Sequence, residues 1–296
     1  MSEWPELPIG AWRDTYQTLH LYTQVVGKIR LALTPRVNEW WNVPLYVTAR
    51  GLTTSPMPYR ERTFSIDFDF IDHRLLIQDS EGRVRTVPLV AQCVRDFYSA
   101  VFAELKAIDI VGVQIHGMPQ ECPVVTPLDQ DTEHKSYDRD QVRRFFEVLS
   151  RIEPVFQTFR SRFRGKCSPV HFFWGAFDLA VSRFNGKRAP ARKGLVERIA
   201  YDEEVCSLGF WPGDPWTGGV DAAFYSYTVP EPPGLPSQRV RPEGAIFSEQ
   251  LREFLLPYDV VRRSADPARA ILEFAQSTYD AGTTLAKWDR EAFAYA

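Results

Sequence analysis

Alternation of apolar and polar residues is the feature that most restricts how this chain can fold. Residues 64–70 read FSIDFDF, so every second side chain is apolar and the ones between are serine or aspartate. Because successive side chains of a strand point to opposite faces, this pattern predicts a strand with one buried and one polar face. Residues 43–50 alternate in the same way, with Tyr46 and Arg50 on the face opposite Val43. Half-polar strands are typical of antiparallel sheets, whereas parallel strands covered on both faces are apolar throughout.

Helical periodicity and turn residues predict the remaining elements. Apolar residues recur at helical spacing over residues 15–33 and 89–108 and from about 138 to 159, where Pro154 predicts a kink or a break. Asp266 followed by Pro267 predicts the start of a last helix. Further strands are predicted at residues 74–78, 83–87, 111–116, 170–183 and 222–229. This order predicts an α+β fold: a largely antiparallel sheet with helices packed mainly on one face, in a single domain over residues 1–296.

Composition and charge exclude several classes of partner. The formal net charge is -3 and the pI is about 6.0, without the basic excess of a nucleic-acid-binding protein. The sequence shows no signal segment and no run of about 20 apolar residues that could span a membrane. Its 4 cysteines lie outside any Cys-x-x-Cys pair, which indicates reduced thiols. We therefore expect a cytoplasmic protein that binds neither nucleic acid nor membrane.

Aromatic residues make up 14% of the chain, and so many rings must form either core or the wall of a pocket. Trp211, Tyr225 and Tyr227 lie in a stretch punctuated by glycine and proline. Tyr225 and Tyr227 share a strand face and would carry their hydroxyls to the same side. This stretch predicts an aromatic pocket wall or lid, or else a long loop folded over a sheet edge.

The segment from His171 to Arg183 holds the strongest candidate chemistry. A regular strand would place His171 and Arg183 on one face and Trp174 and Asp178 on the other. A bulge at Gly175 would bring Asp178 to the face of His171. His171 is then a general base or a ligand oriented by Asp178. The alternative is a hydrogen-bonded core histidine.

Two further sets of polar residues have open interpretations. His20, Gln24 and Lys28 are four residues apart, so they share one helix face that either lines a pocket or contacts solvent. Arginine forks suit carboxylates and phosphates, which makes Arg50 and Arg183, together with Arg30, candidate anion clamps. Structural ion pairs, for instance Arg50 with Asp67, are the alternative.

Sequence motifs signal no cofactor. The chain has no G-x-G-x-x-G, no Walker motif and no G-x-S-x-G elbow. A metal set can be drawn from His20, His171 and either Glu203 or Glu204. No local spacing such as H-E-x-x-H supports it, and no metal ligand is assigned.

Three segments resemble an uncharacterised bacterial family, the domain-of-unknown-function family numbered 5996. They are residues 18–52 (THL, then VGKIRL and WNVPLYVTARGL), residues 168–180 (SPVHFFWGAFDLA) and residues 209–232 (GFWPG, then AFYSY and PEP). The resemblance covers essentially the whole chain and implies one family and one domain, without an activity to transfer. In members of that family, the sequence at this position resembles Ser-His-Glu-Val, whereas this chain has Asp-Glu-Glu-Val at residues 202–205. Glu203 stands in the place of the histidine, which puts a metal or acid–base role there in doubt.

These observations favour a small-molecule enzyme that performs acid–base chemistry on a polar or anionic substrate in an aromatic-lined pocket. The alternatives are a non-catalytic small-molecule-binding protein, a metal-dependent enzyme, and a scaffold protein with a large exposed apolar patch. The expected catalytic residues are His171, Asp178 and His20. The expected substrate-binding residues are Tyr46, Arg50, Trp174, Arg183, Trp211, Tyr225 and Tyr227.

Overall fold

The fold combines helices with antiparallel strands in a computed structural model, which describes residues 3–217 and 220–295. The helices are α1 (Ile9–Leu33), α2 (Val94–Ala107), α3 (Arg139–Ser161), α4 (Leu195–Ala200), α5 (Tyr258–Arg262) and α6 (Pro267–Leu285), with a 3₁₀ turn at Leu235–Ser237. The strands are β1 (Tyr46–Val47), β2 (Gly51–Thr53), β3 (Met57–Tyr59), β4 (Arg62–Asp69), β5 (Arg74–Asp79), β6 (Val84–Pro88), β7 (His171–Phe173), β8 (Asp178–Arg188), β9 (Glu203–Trp211), β10 (Ala223–Val229), β11 (Ile246–Ser248) and β12 (Glu253–Pro257).

The strands form two antiparallel sheets instead of the one that the sequence predicted. The N-terminal sheet has the order β1-β2-β4-β5-β6, with β3 also paired to β4. The C-terminal sheet has the order β11-β12-β10-β9-β8-β7. All strand pairs in both sheets are antiparallel, so the predicted α+β class is confirmed.

A short backbone bridge joins the two sheets. Leu45, just before β1, exchanges two backbone hydrogen bonds of 2.9 Å with Phe172 of β7. One hydrophobic cluster then continues from α1 through both sheets to α6 and includes Trp12, Phe68 and Ile271. The single domain stays a prediction, but this packing holds β7 in a fixed position against the N-terminal half of the chain.

Two predicted helix starts are confirmed in detail. The Asp138 carboxylate accepts hydrogen bonds from the backbone of Asp140 and Gln141 at the start of α3. The Asp266 carboxylate accepts one from the Arg269 backbone at the start of α6. These contacts satisfy backbone donors that have no partner inside the helix. At Pro154 the sequence predicted a kink or a break, and the break is wrong, since α3 continues through Pro154 to Ser161.

Three predicted strands are wrong in their extent. Residues 43–50 do not form one strand, because the chain reverses where the Thr48 amide donates to the Gly51 carbonyl at 2.8 Å. Residues 170–183 form a hairpin, in which β7 and β8 are joined by a turn closed by Phe177 N and Phe173 O at 2.7 Å. Residues 111–116 form no strand. Five strands were not predicted: β2, β3, β9, β11 and β12.

The two long helices α3 and α6 cover one face of the C-terminal sheet. Helices α3 and α6 pack against β8, β9 and β10. The opposite face forms the floor of a cavity. In the part of the chain that the structure describes, no helix is both long and apolar enough to cross a membrane.

Candidate functional site

The cavity lies over the face of the C-terminal sheet opposite α3 and α6 and has a volume of about 1120 Å³. Strand pairing sets its floor, because residues opposite each other on antiparallel strands share a face. His171, Ala180, Gly209, Tyr225 and Leu255 form one row across five strands. The other walls are formed by helix α4, residues 39–43 and the loop that carries Glu121. Among the described residues, nine aromatic side chains line the cavity: Trp40, Trp41, Phe173, Trp174, Phe184, Tyr201, Trp211, Tyr225 and Tyr227.

The centre of this floor is a contact between Tyr225 and Asp178. The Tyr225 hydroxyl donates a hydrogen bond to Asp178 Oδ2. Tyr225 is on β10 and Asp178 on β8, so the phenol ring must cross β9. It crosses at Gly209, where a β-carbon would overlap the ring. The glycine therefore allows the hydroxyl to reach a carboxylate two strands away.

Asp178 has an environment that favours its neutral form. Its side chain is almost completely buried, at 5% exposure. Burial raises the pKa of Asp178 to about 7; the Tyr225 hydrogen bond opposes this rise, and the nearby Glu121 and Glu253 carboxylates add to it. A buried carboxyl with a pKa near neutrality can take up or release a proton at physiological pH.

Besides Glu39, which pairs with Lys166, three more carboxyl groups line the cavity. Glu121 and Glu197 lie at its opening, and Glu253 lies on β12 at the floor. Burial raises the pKa of Glu253 to about 7. Burial raises the pKa of the Glu121 carboxyl, and the negative charge of Glu197 raises it further. None of these three carboxylates accepts a hydrogen bond from a described residue. Together with Asp178, these carboxyl groups extend from the opening of the cavity to its floor without a basic partner among the described residues.

Helix α1 fixes the loop that carries Glu121. The Gln24 side chain donates to the Gln120 carbonyl and accepts from its amide, both at 2.8 Å. Lys28 Nζ donates to the Met118 carbonyl at 2.9 Å. His20 Nε2–H donates to the Gly175 carbonyl at 2.8 Å. All three side chains of this predicted polar stripe are buried, so the solvent-exposed alternative is wrong. They support the cavity wall from behind.

His171 lies in the first strand of the cavity floor and is 1% exposed. It faces the rings of Tyr46, Trp41 and Phe173 at centroid distances of 5.6, 6.0 and 5.3 Å. Neither ring nitrogen has a hydrogen-bond partner among the described residues. Burial lowers the pKa of His171 to about 3, and the positive charge of Arg30 contributes. The imidazole is therefore neutral and offers one donor and one acceptor that the protein leaves unused.

Asp178 does not orient His171. The hairpin places both side chains on one face, as the predicted bulge at Gly175 would have done, but by a reversal of the chain. His171 pairs with Ala180 and Phe173 with Asp178, so the histidine and the aspartate are diagonal neighbours. Diagonal neighbours on a sheet are about 7–8 Å apart. The carboxylate binds Tyr225 instead.

The structure brings neither Arg50 nor Arg183 into the cavity. Arg50 forms ion pairs of 2.8 Å with Asp69 and Asp72, instead of the predicted pair with Asp67. Arg183 projects to the helix-covered face, where its guanidinium lies 3.4 Å from the centroid of the Phe159 ring and donates to the Phe159 carbonyl. Both arginines are thus engaged in structural contacts, and the anion clamp is not formed.

The structure does not form the metal site that could be drawn from His20, His171 and Glu203 or Glu204. Glu203 pairs with Lys166 at 3.0 Å, and the Glu204 carboxylate accepts a hydrogen bond from Asn185. His20 donates to the Gly175 carbonyl. In residues 3–217 and 220–295, no three His, Cys, Asp or Glu side chains are arranged to hold a metal ion.

Of the remaining predicted residues, Trp174, Trp211, Tyr225 and Tyr227 line the cavity. Tyr46 lies behind His171 and packs under the Arg30 guanidinium at 5.6 Å. His20 lines a smaller cavity of about 250 Å³ that shares Glu121, Ala176 and Trp211 with the main one.

Sequence reasoning missed Glu121 and Glu253. Glu121 lies in a polar loop with no periodicity, and its backbone has a φ of 54°, which is uncommon for a residue with a side chain. Glu253 lies on the unpredicted strand β12. The alternation of Glu253, Phe254, Leu255 and Leu256 carries only a weak strand signal, and the fold alone shows which face is the cavity.

Comparison with known proteins places the chain in a family but gives it no activity. No curated protein and no solved structure matches the chain significantly. The family model described as "Family of unknown function (DUF5996)" matches residues 4–295. That match spans nearly the whole chain, and the protein therefore belongs to the DUF5996 family.

Proposed function

We propose that this protein is a small-molecule enzyme that uses Asp178 for acid–base chemistry in the C-terminal sheet cavity. The observation that carries the proposal is the Asp178–Tyr225 pair, in which a buried carboxyl with a pKa near 7 faces a cavity of about 1120 Å³. Groups with perturbed pKa values in a deep pocket are typical of catalytic sites. The volume suits a drug-sized organic molecule.

The geometry assigns each group a role in this proposal. Tyr225 donates to one oxygen of Asp178, which fixes the carboxyl and leaves its other oxygen for a substrate. In the neutral form that oxygen delivers a proton, and in the ionised form it accepts one. His171 contributes its neutral ring to the cavity floor, with both ring nitrogens buried. Its low pKa makes it a poor proton carrier at neutral pH, so the expected general base moves from His171 to Asp178.

A second candidate is a binding protein without catalysis. The cavity lining favours this candidate, since most of its side chains are aromatic or apolar. Recognition needs complementary walls and a few oriented polar groups. The two candidates make different predictions for a substitution of Asp178.

One experiment separates them. The purified protein and its Asp178→Asn variant are each incubated with a mixed small-molecule library, and both the retained and the transformed compounds are identified by mass spectrometry. We expect at least one compound to be converted by the wild type and retained without conversion by the variant. Compounds retained unchanged by both proteins would support the binding protein. Conversion at equal rates by both would contradict a role for Asp178.

The variant needs a folding control, because the substituted group is buried. Tyr225→Phe keeps the ring over Gly209 and removes only the hydroxyl, so it preserves the packing of the floor. We expect it to slow conversion less than Asp178→Asn does. Thermal denaturation of all three proteins checks that each is folded.

A further inference from the structure

The cavity has an unbalanced charge. Its described lining includes the carboxyl groups of Asp178, Glu121, Glu197, Glu253 and Glu39, and no lysine or arginine. Glu39 is the only one of these paired with a cation, since it binds Lys166. The other four have no basic partner among the described residues.

Four cations pack close to the cavity walls. Lys166 lies 4.8 Å from the centroid of the Phe184 ring, and its ammonium binds both Glu39 and Glu203. Arg30 packs on Tyr46 and donates to the Thr54 carbonyl. The other two pack on rings of the lining: Lys28 lies 5.6 Å from the Trp174 centroid and donates to the Met118 carbonyl, and Arg192 lies 4.4 Å from the Tyr201 centroid. Among the described residues, none of these cations forms a salt bridge with Asp178, Glu121, Glu197 or Glu253.

Unpaired carboxyls that share a site raise each other's pKa, and a bound cation removes that penalty. The series from Glu197 and Glu121 at the opening to Asp178 inside would also attract a cation from solution. The aromatic walls add a second mode of recognition, because a cation is attracted to the face of a tryptophan or tyrosine ring. Trp211 and Tyr225 line the cavity beside Asp178, so both modes act in the same place.

The rest of the cavity suits an uncharged organic body. Phe173, Trp174 and Phe184 form apolar walls toward His171. His171 is neutral and both of its ring nitrogens are buried, so a ligand meets this residue through its ring.

From these contacts we propose that the ligand is an organic cation, an amine or quaternary ammonium group carried on an apolar or aromatic body. The cationic group lies among Asp178, Glu121 and Glu253, and the body extends toward His171. This inference rests on the proposed small-molecule site and specifies its ligand class. It replaces the anionic substrate suggested by the sequence, because the arginines on which that suggestion depended lie outside the cavity.

The test uses three probes of nearly the same shape: benzyltrimethylammonium, its neutral carbon isostere neopentylbenzene, and the anion phenylmethanesulfonate. Binding to the full chain is measured by calorimetry and by quenching of tryptophan fluorescence. We expect the cation to bind about tenfold or more tightly than the neutral isostere. The anion should bind more weakly than either.

Variants locate the binding. Glu253→Gln and Glu121→Gln should each weaken binding of the cation about three- to tenfold and leave the neutral probe within twofold. The matched control is Glu147→Gln, an exposed glutamate on α3, on the far side of the sheet. It should change neither affinity.

The outcomes distinguish the ligand class from the proposed function. Equal or tighter binding of the neutral or anionic probe would overturn the cation class and leave the small-molecule site intact. Cation binding that both cavity variants leave unchanged would also overturn it. Absence of binding by any probe, together with no retained compound in the library experiment, would overturn both proposals.

Discussion

The Tyr225 hydroxyl donates a hydrogen bond to Asp178 across the strand that separates their own strands. The phenol ring reaches the carboxylate because Gly209, on the strand between, has no side chain. Three residues that are far apart in sequence therefore depend on one another: the glycine admits the ring, the ring carries the hydroxyl, and the hydroxyl fixes the carboxyl.

Replacing Gly209 with alanine tests this dependence. The added methyl group would overlap the Tyr225 ring and push it away from the floor. We expect a loss of about 1–3 kcal/mol in the free energy of unfolding, measured with urea, and weaker ligand binding. The control is Gly10→Ala in α1, where a β-carbon meets no atom within 4 Å. Equal stability of the two variants would contradict the account of Gly209.

Local patterns predicted the elements better than their assembly. The alternation of residues 64–70 corresponds to β4, and the capping residues Asp138 and Asp266 mark the starts of α3 and α6. These signals depend on neighbours within a few residues. The way the two sheets meet depends instead on the Leu45–Phe172 bridge, which joins residues more than a hundred positions apart and has no local signature.

The candidate site was predicted in part, for the same reason. Tyr225 and Tyr227 were expected to share a face, and both line the cavity. The partner of Asp178 was misidentified because a turn, and not a bulge, reverses the chain after Phe173. Glu121 enters the site only through a loop held by Gln24, so its role follows from contacts that periodicity does not report.

Asp178→Asn should change how stability depends on pH. An aspartate has a pKa of about 3.9 in an unfolded chain, and burial raises that of folded Asp178 to about 7. The folded wild type therefore binds more protons between these values and loses stability as pH rises through that window. The Asp178→Asn variant has no ionisable group at this position, so it does not lose stability in this way. We expect it to be more stable than wild type by about 1–3 kcal/mol at pH 8, with the difference shrinking toward pH 4.

Urea titrations of both proteins at several pH values measure this difference. A stability difference that stays constant across the window would mean that Asp178 has the same pKa in the folded and unfolded chain. That result would contradict the protonation state on which the proposed chemistry depends.

His171→Phe should have the opposite pH signature. A histidine has a pKa of about 6.5 in an unfolded chain, and burial lowers that of folded His171 to about 3. The unfolded wild type binds more protons below pH 6.5, so the wild type loses stability as pH falls. Phenylalanine keeps an aromatic ring between Tyr46 and Phe173 and cannot be protonated.

The expected result is that the variant gains stability relative to wild type as pH falls from about 7 to 4. Urea denaturation at several pH values measures this difference. A difference that stays constant over this range would mean that His171 has the same pKa in the folded and the unfolded chain.

Gln24→Ala tests whether α1 positions the cavity loop. The substitution removes both hydrogen bonds to the Gln120 backbone, and Gln24 itself does not line the main cavity. We expect it to weaken binding of benzyltrimethylammonium and to destabilise the fold by about 1–3 kcal/mol. A merely structural role would lower stability without changing affinity.

A double-mutant cycle makes this prediction specific. In a Glu121→Gln background, Gln24→Ala should cost little further affinity, because the carboxyl it positions is already gone. Arg50→Ala is the control: its ion pairs with Asp69 and Asp72 lie outside the cavity, so affinity should not change. Additive effects of the two substitutions would refute the positioning role of Gln24.

The most direct test of the central claim is the titration of Asp178 itself. Carbon-13 NMR of the side-chain carboxyl, assigned by its absence in Asp178→Asn, follows its ionisation with and without benzyltrimethylammonium. We expect a pKa near 7 in the free protein and a lower pKa when the cation is bound, because a nearby positive charge favours the carboxylate. A carboxyl that titrates near 4 and does not respond to the cation would contradict both the acid–base role and the proposed ligand.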